Sequence, residues 1–155
     1  MQTHLRSSDE RRRLEALQHY SLLDTLPEQA LDDLTALAAH ICGTPIALIS
    51  IADDQRQWFK SKIGLSINEV VRAGSFSEYA LLQPGVFIVP DASQDPRFAA
   101  NPLVTGAPHL RFYAGAPLIT ADGQALGTVC VIDRIPRQLT ASQEGALRVL
   151  SRQVT

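Results

Sequence analysis

The sequence predicts one α+β domain, an antiparallel sheet covered by helices, and three observations carry that prediction. Apolar residues recur at helical spacing near both ends of the chain, short β-branched runs fill its middle, and an Asp-Gly turn joins two of those runs. At 155 residues the chain is about one domain long, a size at which roughly two thirds of the unfolded surface is buried. A hydrophobic fraction of 45% and a charged fraction of 19% exclude a disordered or collagen-like chain.

A flexible N-terminal segment is expected over residues 1–8, followed by a single domain over 9–155. Ser7 precedes Glu10 by three residues, a capping-box spacing, and Leu14, Leu17 and Tyr20 then share a helical face, so a first helix is expected from Asp9 to Tyr20. Arg11, Arg12 and Arg13 lie between Asp9-Glu10 and Glu15, which predicts a solvated helix face with charges paired across turns. The stretch 21–27, ending in Pro27, breaks the helix. Thr25 and Glu28 repeat the capping box, and Leu31, Leu34, Ala38 and Ile41 mark a second helix that stops at Gly43.

Residues 45–52 form a nearly unbroken β-branched apolar run, the pattern of a strand covered on both faces and the expected centre of the sheet. Asp53 to Arg56 make a polar turn whose adjacent carboxylates bond their own backbone, and residues 57–62 form a more exposed partner strand. Residues 75–82 hold a short helix that Pro84 and Gly85 stop, and 86–89 give a third strand. Pro96, Pro102, Gly106 and Pro108 punctuate a long ordered loop with one helical turn near 96–99. Residues 111–119 and 125–133 flank Asp122-Gly123 as a hairpin. Gly115 and Pro117 inside the first of these runs imply an edge position, a bulge or a close approach to the backbone. Thr140 with Gln143 caps a last helix, whose face of Ala146, Leu147, Leu150 and Val154 carries no stop signal and is expected to continue toward a further domain.

Fourteen basic against sixteen acidic residues give a net charge of -2, without the basic excess that binding to a phosphate backbone requires, so no nucleic-acid partner is expected. No apolar stretch reaches the ~20 residues of a membrane span and the N-terminus lacks a signal-peptide core, so the expected location is cytoplasmic, with no membrane contact. His4, His19, His40 and His109 are scattered and no Cys-x-x-Cys occurs, which predicts no metal site. No phosphate-cradling glycine loop or nucleophile elbow is present, so no catalytic residue is assigned. Cys42 and Cys130 lie in apolar runs, where thiols pack as small hydrophobes.

The segment 72–113 mixes polar groups with aromatics, the composition of a small-molecule site in irregular backbone over a sheet. Its candidate pocket residues are Phe76, Tyr79, Arg97, Phe98, Arg111 and Tyr113, with Thr128 from the last strand. Arg97 and Arg111 suit a ligand's anionic group, since a guanidinium matches carboxylate or phosphate geometry. They equally suit pairing with Asp91, Asp95 and Asn101 to hold the loop closed.

The blocks Pro45-Ile46-Ala47-Leu48-Ile49-Ser50-Ile51-Ala52-Asp53, Arg56-Gln57-Trp58-Phe59-Lys60-Ser61 and Asp91-Ala92 through Asp95-Pro96-Arg97-Phe98 to Asn101-Pro102-Leu103-Val104 resemble bacterial GAF domains. So do Arg111-Phe112-Tyr113-Ala114-Gly115-Ala116-Pro117-Leu118 and Leu126-Gly127-Thr128-Val129-Cys130-Val131-Ile132-Asp133. The resemblance implies a GAF-like central antiparallel sheet with terminal helices on one face and a lid and pocket segment on the other. It also implies a sensory domain of a bacterial signalling protein, such as a two-component histidine kinase or a cyclase or phosphodiesterase, that binds a small molecule, forms a homodimer through its terminal helices, or both. Relatives typically read Ser-Phe-Cys-x-His where this chain reads Ser75-Phe76-Ser77-Glu78-Tyr79, so a thiol and imidazole chemistry there is not carried over. No cofactor is assigned. Two other readings of the family remain open: a thiol enzyme like the free methionine sulfoxide reductases, acting through Cys130, and a ligand-free dimerisation spacer.

Overall fold

The computed structural model describes residues 7–20 and 28–154. Two helices lead, α1 (Ser7–Tyr20) and α2 (Gln29–Cys42), followed by strands β1 (Ile46–Ala52), β2 (Arg56–Ile63) and β3 (Glu69–Val71). The short helix α3 (Phe76–Ala80), strand β4 (Phe87–Val89), a 3₁₀ turn (Ala92–Gln94) and helix α4 (Pro102–Thr105) form the irregular half. Strands β5 (Phe112–Ile119) and β6 (Ala125–Asp133) and helix α5 (Ala141–Val154) complete the chain. The strands form one antiparallel sheet in the order β3-β2-β1-β6-β5-β4, so the α+β expectation holds.

Strand β1 sits between β2 and β6 and every one of its residues is buried, as its unbroken apolar run requires. Side chains alternate about it with the period of two that a pleated strand imposes. Ala47, Ile49 and Ile51 point to a core with Val129, Val131, Leu17, Ala38 and Leu147, under α1, α2 and α5. Ile46 and Leu48 point the other way, to a core with Cys130, Ile132, Tyr113, Phe76 and Phe98. Both terminal helices thus lie on one face, and the irregular half covers the other.

The capping logic is visible at two helix ends. Gly43 closes α2 in the left-handed region, φ 65°, and its N–H reaches the Ala39 and His40 carbonyls. Thr140 and Gln143 bond reciprocally at the start of α5, with Gln143 N–H donating to Thr140 Oγ1 at 3.1 Å and Thr140 N–H donating to Gln143 Oε1 at 2.9 Å. At α2 the expected capping partner Thr25 lies outside the described residues, and Glu28 at the N-cap makes no side-chain cap bond. Residues 1–6 of the expected flexible segment also lie outside them, while Ser7 and Ser8 already belong to α1.

Several expectations are corrected. Arg11 and Arg12 are exposed, but Arg13 is 1% exposed and belongs to the interior, not to a solvated face. Strand β2 is more buried than expected, because α2 covers one side and the irregular half the other; Gln57, Phe59, Lys60 and Ser61 are all buried. A bulge opposite Ile49 and Ser50 lets Phe59 face the irregular half while Ser61 bonds Thr35 and Asp32 of α2 at 2.8 and 2.6 Å. The three-residue strand β3 was not anticipated within residues 64–85. The helical turns of the long loop fall at 92–94 and 102–105, and residues 96–100 form a non-helical turn. Gly115 reflects a close approach: an added Cβ would strike the Tyr113 ring. Pro117 lies beyond the end of the β4 ladder, which runs from Tyr113 to Gly115, so the N–H that proline lacks costs that ladder no hydrogen bond.

Candidate functional site

A cavity of about 480 Å³ lies between the sheet and the irregular half, within the size range of small-molecule sites. Its floor is Leu48 of β1, Phe59 of β2, Tyr113 of β5 and Cys130 and Ile132 of β6. Its roof and sides are Leu65, Val70, Phe76, Leu103 and Leu110, with the polar residues Ser75, Ser77 and Asn101. The roof is built by local capping: Ser75 accepts the Glu78 N–H at 3.2 Å to start α3, and Asn101 accepts the Leu103 N–H at 2.9 Å to start α4. Asn101 also donates to the Gly74 carbonyl at 3.3 Å, joining the two roof segments.

The polar centre of the cavity is a trio of buried hydroxyls. Ser77 Oγ lies 3.2 Å from the Tyr113 hydroxyl and 3.3 Å from Thr128 Oγ1, so one serine of the roof touches two strands of the floor. Burial pushes the Tyr113 phenol well above its usual range, and it stays protonated. Burial likewise pushes the Cys130 thiol up to about 12, against the lowering pull of hydrogen bonds from Tyr113, Thr128 and the Leu48 backbone. At neutral pH Cys130 is a thiol, not a thiolate.

Sequence reasoning placed seven residues in this site, and the structure separates them. Phe76 and Tyr113 line the cavity, and Thr128 backs its polar centre. Phe98 lies wholly buried behind Phe76, stacked at 4.2 Å between ring centroids. Tyr79 packs edge-on against Phe98 at 5.1 Å, on the far side of α3 from Ser77's contacts. Arg97 covers this aromatic cluster from outside, its guanidinium 5.0 to 5.3 Å from the Tyr79, Phe87 and Phe98 rings, and it is paired with Asp95 at 2.7 Å. Arg111 donates to the Val104 and Leu110 carbonyls at 3.0 and 2.9 Å. Both arginines therefore hold the loop closed and neither lines the cavity. The aliphatic walls were missed, because an unbroken apolar strand does not reveal which alternate positions face a void. The signal that marks the cavity's face of the sheet is the paired Ser50 and Thr128, single polar residues within apolar runs.

A second feature was also missed. Arg72, just ahead of α3, donates from Nε to Glu78 Oε2 of α3 at 2.6 Å and from Nη2 to Glu10 Oε2 of α1 at 3.2 Å. Glu10 in turn accepts from Arg13 Nε and Nη2, each at 3.0 Å, and Arg13 Nη1 donates to the Ala52 carbonyl at the end of β1 at 2.7 Å. Two guanidinium groups and two carboxylates thus balance in a largely buried chain that joins the cavity roof to the first helix. Burial alone would raise the Glu10 carboxyl, but the bonds and charges of Arg13 and Arg72 override it and bring it down from 4.5 to about 2.

Comparison with known proteins fits this architecture. The family model for the GAF domain matches residues 26–155. A cyclic di-GMP phosphodiesterase of Pseudomonas aeruginosa is 49% identical over 139 residues, which are 90% of this chain and 24% of that protein, so the chain spans about a quarter of that relative's length. The GAF domain of an Acinetobacter phosphoenolpyruvate-protein phosphotransferase superposes with a TM-score of 0.69 at 17% identity, covering 95% of this chain and 88% of its own. A free methionine-R-sulfoxide reductase of Thermoplasma acidophilum shares the fold with a TM-score of 0.67 at 10% identity, covering 88% of this chain and 91% of its own. With the family model spanning most of its length and the sheet, roof and cavity in place, the chain belongs to the GAF domain family of sensory modules.

Proposed function

We propose that this domain is the input of a larger signalling protein: a small molecule enters the cavity, shifts its roof, and alters the packing of the terminal helices in a homodimer. The observation that carries the reading is the charged chain from Glu78 through Arg72 and Glu10 to Arg13. It ties α3, whose Ser77 contacts Tyr113 and Thr128 at the cavity's polar centre, to α1 on the opposite face of the sheet. A ligand moves such an equilibrium only by its differential affinity for the two packings, typically about 1–3 kcal/mol between coupled sites. Leu37 of α2 and Val149 of α5 leave apolar side chains exposed on the helical face, which supports pairing between two copies there. No helix among the described residues is long and apolar enough to cross a membrane, which fits a cytoplasmic module. The Pseudomonas relative supports a phosphodiesterase output in the full protein, with a kinase or cyclase as the other outputs.

The thiol-reductase reading loses its nucleophile, since a thiol held protonated to about 12 does not attack at neutral pH. Turnover of free methionine sulfoxide by the purified chain, lost on Cys130→Ser, is the result that would restore it.

Thermal unfolding of the chain against a panel of defined metabolites, together with sedimentation, tests the sensor reading. The expected result is a dimer whose melting temperature one compound class raises. A dimer that no compound stabilises would leave the domain as a spacer.

A further inference from the structure

The cavity's chemistry goes one step further, on the footing that the domain is a small-molecule sensor. We infer that its ligand is an uncharged, largely apolar molecule, and that the cavity rejects phosphate-bearing nucleotides.

Among the described residues that line the cavity there is no lysine or arginine. The nearby guanidinium groups are committed elsewhere. Arg97 pairs with Asp95, Arg111 holds two loop carbonyls, and Arg72 is held by Glu10 and Glu78. The one formally charged lining residue is Glu69, a half-exposed carboxylate at the rim that already bonds Arg56 at 3.0 Å. A phosphate entering this space would lose its hydration with no cation to replace it and a carboxylate at the entrance, the least favourable way to bury a charge. The walls are instead aliphatic and aromatic, from Leu48, Phe59, Val70, Leu103 and Ile132. Apolar contact therefore supplies the affinity for whatever fits.

Orientation comes from few groups. The Ser77 hydroxyl, 3.2 Å from the Tyr113 hydroxyl and 3.3 Å from Thr128 Oγ1, keeps one hydrogen-bonding position beyond these two contacts, and the Asn101 side chain stands at the roof. That set suits one carbonyl, hydroxyl or ring nitrogen on an otherwise apolar ligand. The inference also replaces the expectation that Arg97 and Arg111 receive an anion.

The test uses the purified chain with N-phenyl-1-naphthylamine as the neutral probe and cyclic GMP and cyclic di-GMP as the anionic ones. The expected result is saturable fluorescence enhancement of the neutral probe with one site per chain and a raised melting temperature, while neither nucleotide displaces the probe or stabilises the protein. Leu103→Trp at the roof fills the cavity and weakens the probe at least tenfold. Leu65→Trp on another wall does the same, so failure of one variant to fold leaves the other to decide. Displacement of the probe by either nucleotide, or stabilisation by one that Leu103→Trp abolishes, overturns the ligand class while leaving the sensor reading intact. Binding of neither class to the folded parent protein overturns both.

Discussion

Arg13 and Glu10 show how a charged residue that reads as solvent-facing becomes interior. Their run looks like an ordinary polar helix face, and Arg11 and Arg12 behave as one. The difference is that Arg13 points at the end of β1, where the Ala52 carbonyl needs a donor that no strand supplies, a partner distant in sequence and invisible to local spacing. Removing the guanidinium leaves Glu10 half-paired and that carbonyl bare, so Arg13→Met should cost about 3 kcal/mol in urea unfolding with an unchanged denaturant slope. A loss no larger than an exposed substitution gives would show that the arginine is not interior. Glu10 makes a second prediction. Its folded-state carboxyl is depressed from 4.5 to about 2, so its contribution is fully present above pH 4.5 and is lost as pH falls toward 2. Solvent reaches one side of the pair, which holds that contribution to about 2 kcal/mol. Denaturation midpoints taken across that window should fall less steeply in Glu10→Gln than in the parent; identical slopes would show that Glu10 is not the group responsible.

Elements defined by local chemistry were legible, and those defined by what lies above them were not. The hairpin of β5 and β6 follows from Asp122-Gly123, and the structure puts Gly123 at φ 87° in the turn, with its N–H on the Thr120 carbonyl at 2.9 Å. The start of α5 follows from Thr140 and Gln143 in the same way. Thr140→Ala should therefore destabilise the domain by about 1 kcal/mol, read from thermal unfolding, and Thr140→Ser should restore most of it. Equal stability of the two variants would remove the capping account. Strand β3 has three residues and a single neighbour, β2, so no periodicity of its own could announce it. The helical turns of the loop moved from 96–99 to 92–94 and 102–105 because Asp91 and Asn101 cap them, bonding the Ser93 and Leu103 N–H groups. Caps outweighed proline spacing there.

At the scale of the whole molecule, the sheet separates two environments, and the charged chain bridges them. The helical face carries α1, α2 and α5, and the other carries the cavity and its roof. The sequence was sufficient for this division, since central apolar strands need cover on both faces and the helices stand at the chain's ends. The aromatic part of the candidate site was legible too, while its polarity was not. Arg97 and Arg111 look equally suited to a ligand or to a loop until the positions of Asp95 and the Val104 carbonyl are known. On this reading the roof and the first helix move as one unit. Amide hydrogen exchange with and without N-phenyl-1-naphthylamine tests it directly. Altered protection in α3 and in α1 is expected on probe binding, with the α1 change lost in Arg72→Met while the α3 change persists. Altered protection confined to α3 in the parent protein would contradict it.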